Sequence, residues 1–255
     1  MGAAGDIADY QGDRLVSVYC FPEKEAAAAA LAEKIVKTST AALERRRCFS
    51  LVLAGGSTPG ALYELLATEP WRKRIDWCRA HVFFGDERCV PFDHRYSNYA
   101  MAYGSLLSAV PVPPNQVHRI HGEGDPAREA ETYGHLIETT LSSISPEQPL
   151  FDLVLLGLGA DGHTASLYPG DTALQSSGLV TAVDPPKTAS PPVPRISLTL
   201  EGIKLARTLC FLVHGSSKKD IVQAVRADTE GRYPAALAVA ETVSWYLSGM
   251  ECDEL

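Results

Sequence analysis

The chemistry offered by this sequence is concentrated in polar, glycine-rich segments that directly follow short apolar runs. One of them, residues 157–163, carries Asp161 and His163. Imidazole transfers a proton near neutral pH more readily than any other side chain, so His163 is a candidate general base. Asp161 is a candidate partner that orients the ring or binds substrate. His81 and His214 lie inside apolar runs, and we expect both to be structural.

Residues 157–162 also match the GxGxxG pattern of dinucleotide-binding loops, and Asp184 lies at a suitable distance for a ribose contact. Three features argue against that interpretation. Asp161 would place a carboxylate beside the pyrophosphate, Pro169 interrupts the helix that should follow, and Asp184 precedes two prolines rather than ending a strand. The sequence therefore does not predict a nicotinamide cofactor, and the histidine is the better focus.

A second segment contains Gly55, Gly56, Ser57 and Thr58, between an apolar run and a helical stretch. Small residues let the backbone close around an anion, and the hydroxyl groups and first helical N–H groups would point at it. The alternative is a tight turn in which Ser57 or Thr58 caps the helix. The two interpretations are compatible, and the segment predicts phosphate or sugar binding.

A third segment places Asp86, Glu87 and Arg88 directly after an apolar run. Arg88 can bind a phosphate or carboxylate through two parallel hydrogen bonds. Asp86 or Glu87 could accept protons from substrate hydroxyls or hold Arg88 in place. An exposed turn is the alternative, but the end of a strand is where sites are built in α/β proteins.

Three further cations are candidate anion ligands. Arg195 begins a short apolar run after the proline-rich segment 185–194, and Lys218 and Lys219 begin a helical stretch. Two lysines at the start of a helix oppose its dipole, and an anionic ligand would relieve that mismatch. A solvated surface is the alternative, and the sequence does not decide between Lys218 and Lys219.

Short apolar runs alternate with helical stretches along the whole chain. Strands are predicted at residues 15–20, 49–54, 80–84, 152–156, 195–200, 208–214 and 243–247, and helices at 22–47, 60–66, 98–107, 127–141 and 218–227. This alternation predicts an α/β fold with a doubly wound, mostly parallel, Rossmann-like sheet and helices on both faces. The carboxyl ends of parallel strands share one edge, where the polar segments would meet. We predict one domain over residues 15–255, preceded by a disordered tail at 1–14.

Composition limits the possible partners and compartments. The chain has 255 residues and a net charge of −8, which disfavours nucleic acid and membrane surfaces as partners. Six cysteines occur without a CxxC pair, so we expect reduced thiols and no metal site. No signal peptide is evident, which predicts a cytoplasmic protein. Oligomeric state is not indicated.

Taken together, these segments resemble the 6-phosphogluconolactonase family. The matching segments, in the family's order, are residues 51–59, 83–102, 151–170 and 195–200, followed by the strand that precedes Lys218 and Lys219. The resemblance implies hydrolysis of 6-phosphoglucono-1,5-lactone, a sugar-phosphate lactone, without cofactor or metal. It implies that His163 activates water with help from Asp161. The substrate and phosphate ligands that it implies are Arg88, Arg195 and Lys218, and the lining residues are Gly55, Gly56 and Ser57.

Two alternatives stay open at this point. The related glucosamine-6-phosphate deaminases carry a carboxylate five residues after the histidine, where this chain has Tyr168, and a DEY motif where it has Asp86, Glu87 and Arg88. A non-catalytic sugar-phosphate-binding module is the other alternative. Regulators of that kind carry an added DNA-binding motif, for which the segment before the first predicted strand is too short.

Overall fold

A computed structural model describes residues 6–11, 14–146 and 150–252. Within these residues two sheets are present, and the strands of the larger one are β1 (Asp6–Gln11), β2 (Arg14–Phe21), β3 (Phe49–Leu53), β4 (Ala80–Phe84), β6 (Val117–His118), β7 (Phe151–Leu156), β10 (Ala206–His214) and β11 (Thr242–Ser248). They lie in the order β1-β2-β11-β10-β7-β3-β4-β6. The smaller sheet holds β5 (Asp86–Arg88), β8 (Val180–Val183) and β9 (Arg195–Leu198).

Helices connect most of these strands. They are α1 (Lys24–Arg46), α2 (Ser57–Leu66), α3 (Trp71–Arg74), α4 (Asn98–Ala102), α5 (Pro126–Ile144), α6 (Leu200–Ile203), α7 (Lys219–Arg226) and α8 (Pro234–Leu237). The helix predicted at 98–107 is α4 followed by one π-helical turn, Tyr103–Leu107. None of the helices described here is long and apolar enough to cross a membrane.

The direction of chain progression across the large sheet reverses between β3 and β7. From β3 the chain moves outward to β4 and β6, and from β7 it moves the opposite way to β10 and β11. Seven strands are parallel, and β1 pairs antiparallel with β2 at one edge. Because parallel crossovers are right-handed, the reversal sends the helices of the two halves to opposite faces. The predicted doubly wound α/β fold is confirmed.

Burial explains why the central strands read as unbroken apolar runs. Every residue of β3 and β7 is buried, as expected for strands covered on both faces. On β10 and β11 the rings of Phe211 and Trp245 stack with centroids 4.0 Å apart. Helix α1 covers one face with a stripe of small and branched side chains, which includes Ala28, Leu31, Ala32 and Ile35.

The small sheet corrects one expectation from the sequence. No strand is predicted from the sequence at residues 86–88, but they form β5, which pairs antiparallel with β9. Strand β8 pairs with the other side of β9. Gly85 O accepts a hydrogen bond from Leu198 N, which ties this sheet to the end of β4. The small sheet therefore lies beside the carboxyl ends of the central strands.

The predicted disorder of residues 1–14 is wrong for part of the segment. Asp6–Gln11 form β1, and its antiparallel pairing with β2 satisfies backbone groups that a free tail would leave to water. The rest of that prediction lies outside the described residues, except Arg14, which begins β2. The single domain over 15–255 stays a prediction.

The expectation of six reduced thiols is also wrong for one pair. Cys20 and Cys252 form a disulfide, with their Cα atoms 6.3 Å apart. The pairing of β2 with β11 explains it, because Cys20 lies near the end of β2 and Cys252 lies just beyond β11. The other four cysteines, Cys48, Cys78, Cys89 and Cys210, are free.

Candidate active site

A pocket opens at the carboxyl edge of the large sheet, where the chain reverses direction. Its volume is about 360 Å³, within the range of small-molecule sites. Every predicted site residue except Asp161 lines it, namely Gly55, Gly56, Ser57, Thr58, Asp86, Arg88, His163, Arg195 and Lys218. Asp161 contacts the pocket through His163. Loops after β3, β4, β7 and β10 thus converge as the topology predicts.

His163 and Asp161 form a hydrogen-bonded pair in the loop after β7. Nδ1 of His163 lies 2.6 Å from Oδ1 of Asp161, and that oxygen also accepts the His163 backbone N–H at 3.2 Å. Burial tends to raise the pKa of Asp161, but the charge and hydrogen bonds of His163 outweigh it, and the net pKa is lowered. An ionised Asp161 favours the proton on Nδ1, which leaves Nε2 as an acceptor.

Gly159 makes this pair possible. A Cβ atom at position 159 would lie 2.0 Å from Nδ1 of His163 and 2.6 Å from Oδ1 of Asp161. The Gly159 N–H donates to His163 O at 2.8 Å, which closes the loop. Gly162 has a φ of +83°, and a Cβ there would meet the Tyr233 ring at 2.3 Å. These glycines shape the loop that carries the Asp161–His163 pair, and no dinucleotide fingerprint is needed to explain them.

Tyr168 supports the histidine ring from one side. The two ring centroids lie 4.8 Å apart, and Tyr168 is buried. Burial raises the pKa of the Tyr168 hydroxyl, so it stays protonated near neutral pH. A neutral aromatic ring therefore occupies the position at which a deaminase would carry a carboxylate.

Arg88 and Arg195 are direct neighbours across β5 and β9. Arg88 Nη1 donates to Tyr96 O at 2.8 Å, and Arg195 Nη2 donates to Pro191 O at 3.1 Å. The Nε atoms of both are buried without a hydrogen-bond partner in the part of the chain described. Like charges opposite each other on a sheet repel, so the pair is suited to an anion that both can bind.

Glu87, which the sequence left among several possible roles, organises the segment around Arg88. Its carboxylate accepts hydrogen bonds from the backbone N–H groups of Arg88, Asn98 and Tyr99 and from the Ser97 hydroxyl, at 2.7 to 2.9 Å. Burial raises the pKa of Glu87 despite these four donors. Glu87 therefore fixes the start of α4 against β5 and does not face the pocket.

Asp86 lines the pocket, but both of its carboxylate oxygens already have partners. Asn98 Nδ2 donates to Oδ1 at 3.0 Å, and Ser166 Oγ donates to Oδ2 at 2.6 Å. Asn98 also lies against Gly55, where a Cβ atom would come within 2.0 Å of its Oδ1. Asp86 thus links β5 to α4 and to the loop after β7, and its predicted role as a substrate ligand stays a prediction.

The amino terminus of α2 faces the same pocket. The N-cap is Gly56, with a φ of +106°, so the alternative in which Ser57 or Thr58 caps the helix is wrong. Ser57 and Thr58 occupy the first turn, where backbone N–H groups lack helical acceptors. This end of the helix can accept an anion, and Gly56 leaves the approach open.

Lys218, rather than Lys219, is the lysine that lines the pocket. Its Nζ donates to Leu158 O at 2.9 Å, which directs it toward the loop of His163. Burial lowers the pKa of Lys218, and the charge of Asp161 opposes that effect in part. Helix α7 begins at Lys219, directly after a 3-10 turn at Ser216–Lys218.

Two pocket-associated residues were missed from the sequence. His214 was expected to be structural, but it is exposed at the end of β10 and lines the pocket. The glycine that follows it was the available signal, because Gly215 marks the end of the strand. Asn98, which holds Asp86, carries no signal of its own in a single sequence. Among the described residues, no group of three or more His, Cys, Asp or Glu side chains could hold a metal.

Comparison with known proteins identifies a family and several relatives that are similar to this chain. Residues 22–245 match the family described as glucosamine-6-phosphate isomerases/6-phosphogluconolactonase. A probable 6-phosphogluconolactonase of Schizosaccharomyces pombe is 35% identical over 245 residues, which cover 91% of this chain and 93% of the relative. The Mycobacterium leprae 6-phosphogluconolactonase is 35% identical over 238 residues, covering 91% and 95%. The crystal structure of 6-phosphogluconolactonase from Thermotoga maritima superposes with a TM-score of 0.80 at 30% identity, covering 91% of this chain and 99% of that one.

Proposed function

The chain belongs to the family of glucosamine-6-phosphate isomerases and 6-phosphogluconolactonases, and we propose that it hydrolyses 6-phospho-D-glucono-1,5-lactone to 6-phospho-D-gluconate. The observation that carries this proposal is the Asp161–His163 pair, which shares one pocket with the adjacent Arg88 and Arg195 side chains. Hydrolysis of a phosphorylated lactone requires a group that transfers a proton and a cationic site that binds the phosphate.

His163 acts as the general base in the proposed mechanism. Asp161 holds the proton on Nδ1, and Nε2 removes a proton from a water molecule as its oxygen attacks the lactone carbonyl carbon. The C=O π electrons move to the carbonyl oxygen. When the carbonyl re-forms, the bond between C1 and the ring oxygen breaks, and protonated His163 returns the proton to that oxygen. Water is the only co-reactant, so no cofactor is required.

The cations of the pocket serve the charges of substrate and intermediate. Arg88 and Arg195 can bind one anionic group together, and their unpartnered Nε atoms supply further donors. Lys218 donates to Leu158 O beside the loop of His163, and in this mechanism it offsets the negative charge that develops on the carbonyl oxygen. The first turn of α2, with Ser57 and Thr58, adds N–H and hydroxyl donors to the same pocket.

Tyr168 favours lactone hydrolysis over amine release. Deamination of an amino sugar requires additional acid–base groups to open the ring and move protons. In this chain the ring of Tyr168 packs on His163, and its hydroxyl keeps its proton. Attack of water on a lactone needs one base and a stabilised oxyanion, which are the roles proposed for His163 and Lys218.

One assay with two substrates tests the proposal. We expect acid release from freshly generated 6-phosphogluconolactone well above the spontaneous rate, and no ammonia release from glucosamine 6-phosphate. A His163→Ala variant should still bind 6-phosphogluconate and lose most turnover, by about 10²-fold to 10⁴-fold. Ammonia release without lactone hydrolysis would reject the proposal, and full activity of the variant would remove His163 from the mechanism.

We further propose that the enzyme acts in the cytoplasm, in the oxidative pentose phosphate pathway. Its partner there is the small sugar-phosphate lactone rather than nucleic acid or a membrane. The net charge of −8 supports this choice, because an acidic surface repels polyanions while a local cation cluster still binds a small one. We therefore expect that the protein is not retained on a DNA column at low salt.

A further inference from the structure

His214 is the last residue of a long buried strand, at the edge of the pocket. Six consecutive residues of β10, Thr208 to Val213, are buried, and His214 directly after them is exposed. The same side chain lines the pocket together with His163 and Lys218. His214 is therefore a polar group that lines the pocket and that the proposed mechanism does not use.

The ring of His214 is held from one side. Nδ1 lies 3.1 Å from the hydroxyl oxygen of Ser248, its register partner on β11, and that serine is buried. Ser248 Oγ in turn donates to Val213 O at 3.5 Å. Gly249 makes room for the ring, because a Cβ atom there would lie 2.9 Å from Cε1. Within the described chain Nε2 has no hydrogen-bond partner.

We propose that Nε2 of His214 hydrogen-bonds to a hydroxyl group of the bound sugar phosphate, and so helps to select the substrate. The inference rests on the proposed function, since it names a further contact of the same pocket. A hydroxyl group fits either tautomer of the ring, because it can donate or accept. A dianionic phosphate group can only accept, and the adjacent Arg88 and Arg195 already provide cations for it.

Three substitutions at this position separate the two ring nitrogens. In His214→Gln the amide reaches the place of Nε2, whereas in His214→Asn it reaches only the place of Nδ1. We expect His214→Ala and His214→Asn to raise KM for the lactone by about 5-fold to 10-fold, with kcat within about 2-fold of wild type, because one neutral hydrogen bond is lost. His214→Gln should recover most of the KM. His135→Ala, at an exposed position on α5, is the matched control.

Calorimetric binding separates the sources of the effect. In His214→Ala the Kd of 6-phosphogluconate should rise by the same 5-fold to 10-fold, and the Kd of inorganic phosphate should stay within about 2-fold of wild type. An equal rise for inorganic phosphate would assign His214 to the phosphate group and overturn the proposal. Unchanged binding of both ligands, or equal recovery by Gln and Asn, would overturn it as well.

The binding arm also keeps the two proposals apart. If the wild-type protein binds 6-phosphogluconate but does not hydrolyse the lactone, the proposed function is contradicted. The Kd values of the variants would still test the role of His214. If the wild-type protein hydrolyses the lactone and all three variants keep the wild-type KM, the role proposed for His214 is contradicted and the proposed function is not.

Discussion

At the residue scale, the site depends on glycines, which have no side chain, as much as on the residues with reactive groups. The sequence identified His163, Asp161, Arg88, Arg195 and Lys218 because imidazole, carboxylate and cationic groups have recognisable chemistry. It did not indicate why the loop contains its glycines, because the clash of a Cβ atom with a distant ring exists only after folding. His214 was assigned to the interior of a strand because an apolar run precedes it, although Gly215 directly after it marks the end of that strand.

Gly159→Ala tests this dependence on an absent side chain. The added methyl group would occupy the space of His163 Nδ1, so the pair with Asp161 cannot form. We expect kcat to fall by about 10²-fold or more, close to the loss in His163→Ala, with the far-UV circular dichroism spectrum unchanged. Gly104→Ala is the control, since a Cβ atom at that position has no neighbour within 4 Å. Wild-type turnover in Gly159→Ala would show that the pair is dispensable.

Lys218 predicts a pH dependence of binding. Burial lowers its pKa, so the ammonium charge is lost as pH rises through a value below the ~10.4 of a free lysine. The affinity for 6-phosphogluconate, measured by calorimetry, should therefore begin to fall at a pH lower than the pKa of a free lysine. Lys218→Arg, which stays charged, should remove this fall, whereas Lys219→Arg should retain it. A profile that is the same in both variants would contradict the assignment.

At the scale of elements, the small sheet positions the cations, and its existence could not be read from the sequence. The alternation of apolar runs and helical stretches was sufficient for the large parallel sheet, because buried strands have a strong hydrophobic signal. Strand β5 has three charged residues, and its partner β9 lies more than a hundred residues later. Such a pairing is decided by tertiary contacts, so residues 86–88 resembled a loop.

Glu87→Gln tests the connection between β5 and α4. An amide would present an NH₂ group to donors that now converge on two carboxylate oxygens, which leaves at least one buried donor unpaired. We expect the free energy of unfolding to fall by about 1–3 kcal/mol, measured by urea denaturation. Glu131→Gln, at an exposed position on α5, should change it by less than about 0.5 kcal/mol. Equal stability of the two variants would mean that the four hydrogen bonds contribute little.

The opposed Arg88 and Arg195 predict that an anion stabilises the folded protein. Binding of 6-phosphogluconate at about 100 times its Kd should add about 2.7 kcal/mol and raise Tm by roughly 5–10 °C. Arg88→Gln should lose most of that rise, because one of the two adjacent cations is gone. Arg128→Gln, exposed on α5, is the control in the same thermal-shift experiment. A rise of equal size in Arg88→Gln would place the anion elsewhere.

At the scale of the whole molecule, the order of the strands decides which distant segments meet. The reversal between β3 and β7 creates the pocket. The sequence predicted that the polar segments meet at one sheet edge, because each follows a predicted strand, but it did not predict where the reversal lies. The disulfide did not follow, because neither cysteine carries a pairing signal. Only the adjacency of β2 and β11 brings Cys20 to Cys252, which follows it by 232 positions.

Thiol counting checks this bond. Alkylation of the unfolded, unreduced protein should modify four cysteines, and alkylation after reduction should modify all six, as measured by mass spectrometry. In Cys20→Ser the unreduced and reduced proteins should both be modified five times. Six modifications without reductant would show that the two thiols are free in the isolated protein.

The same bond makes the chain a closed loop over most of its length. Lys187 lies in the exposed, proline-rich crossing between β8 and β9, where a protease such as trypsin has access. A cut there falls between Cys20 and Cys252, so the two fragments remain covalently joined. On a gel without reductant the nicked protein should therefore run as one species, and reductant should resolve it into two. A molecule of this kind can be cut in the middle without coming apart.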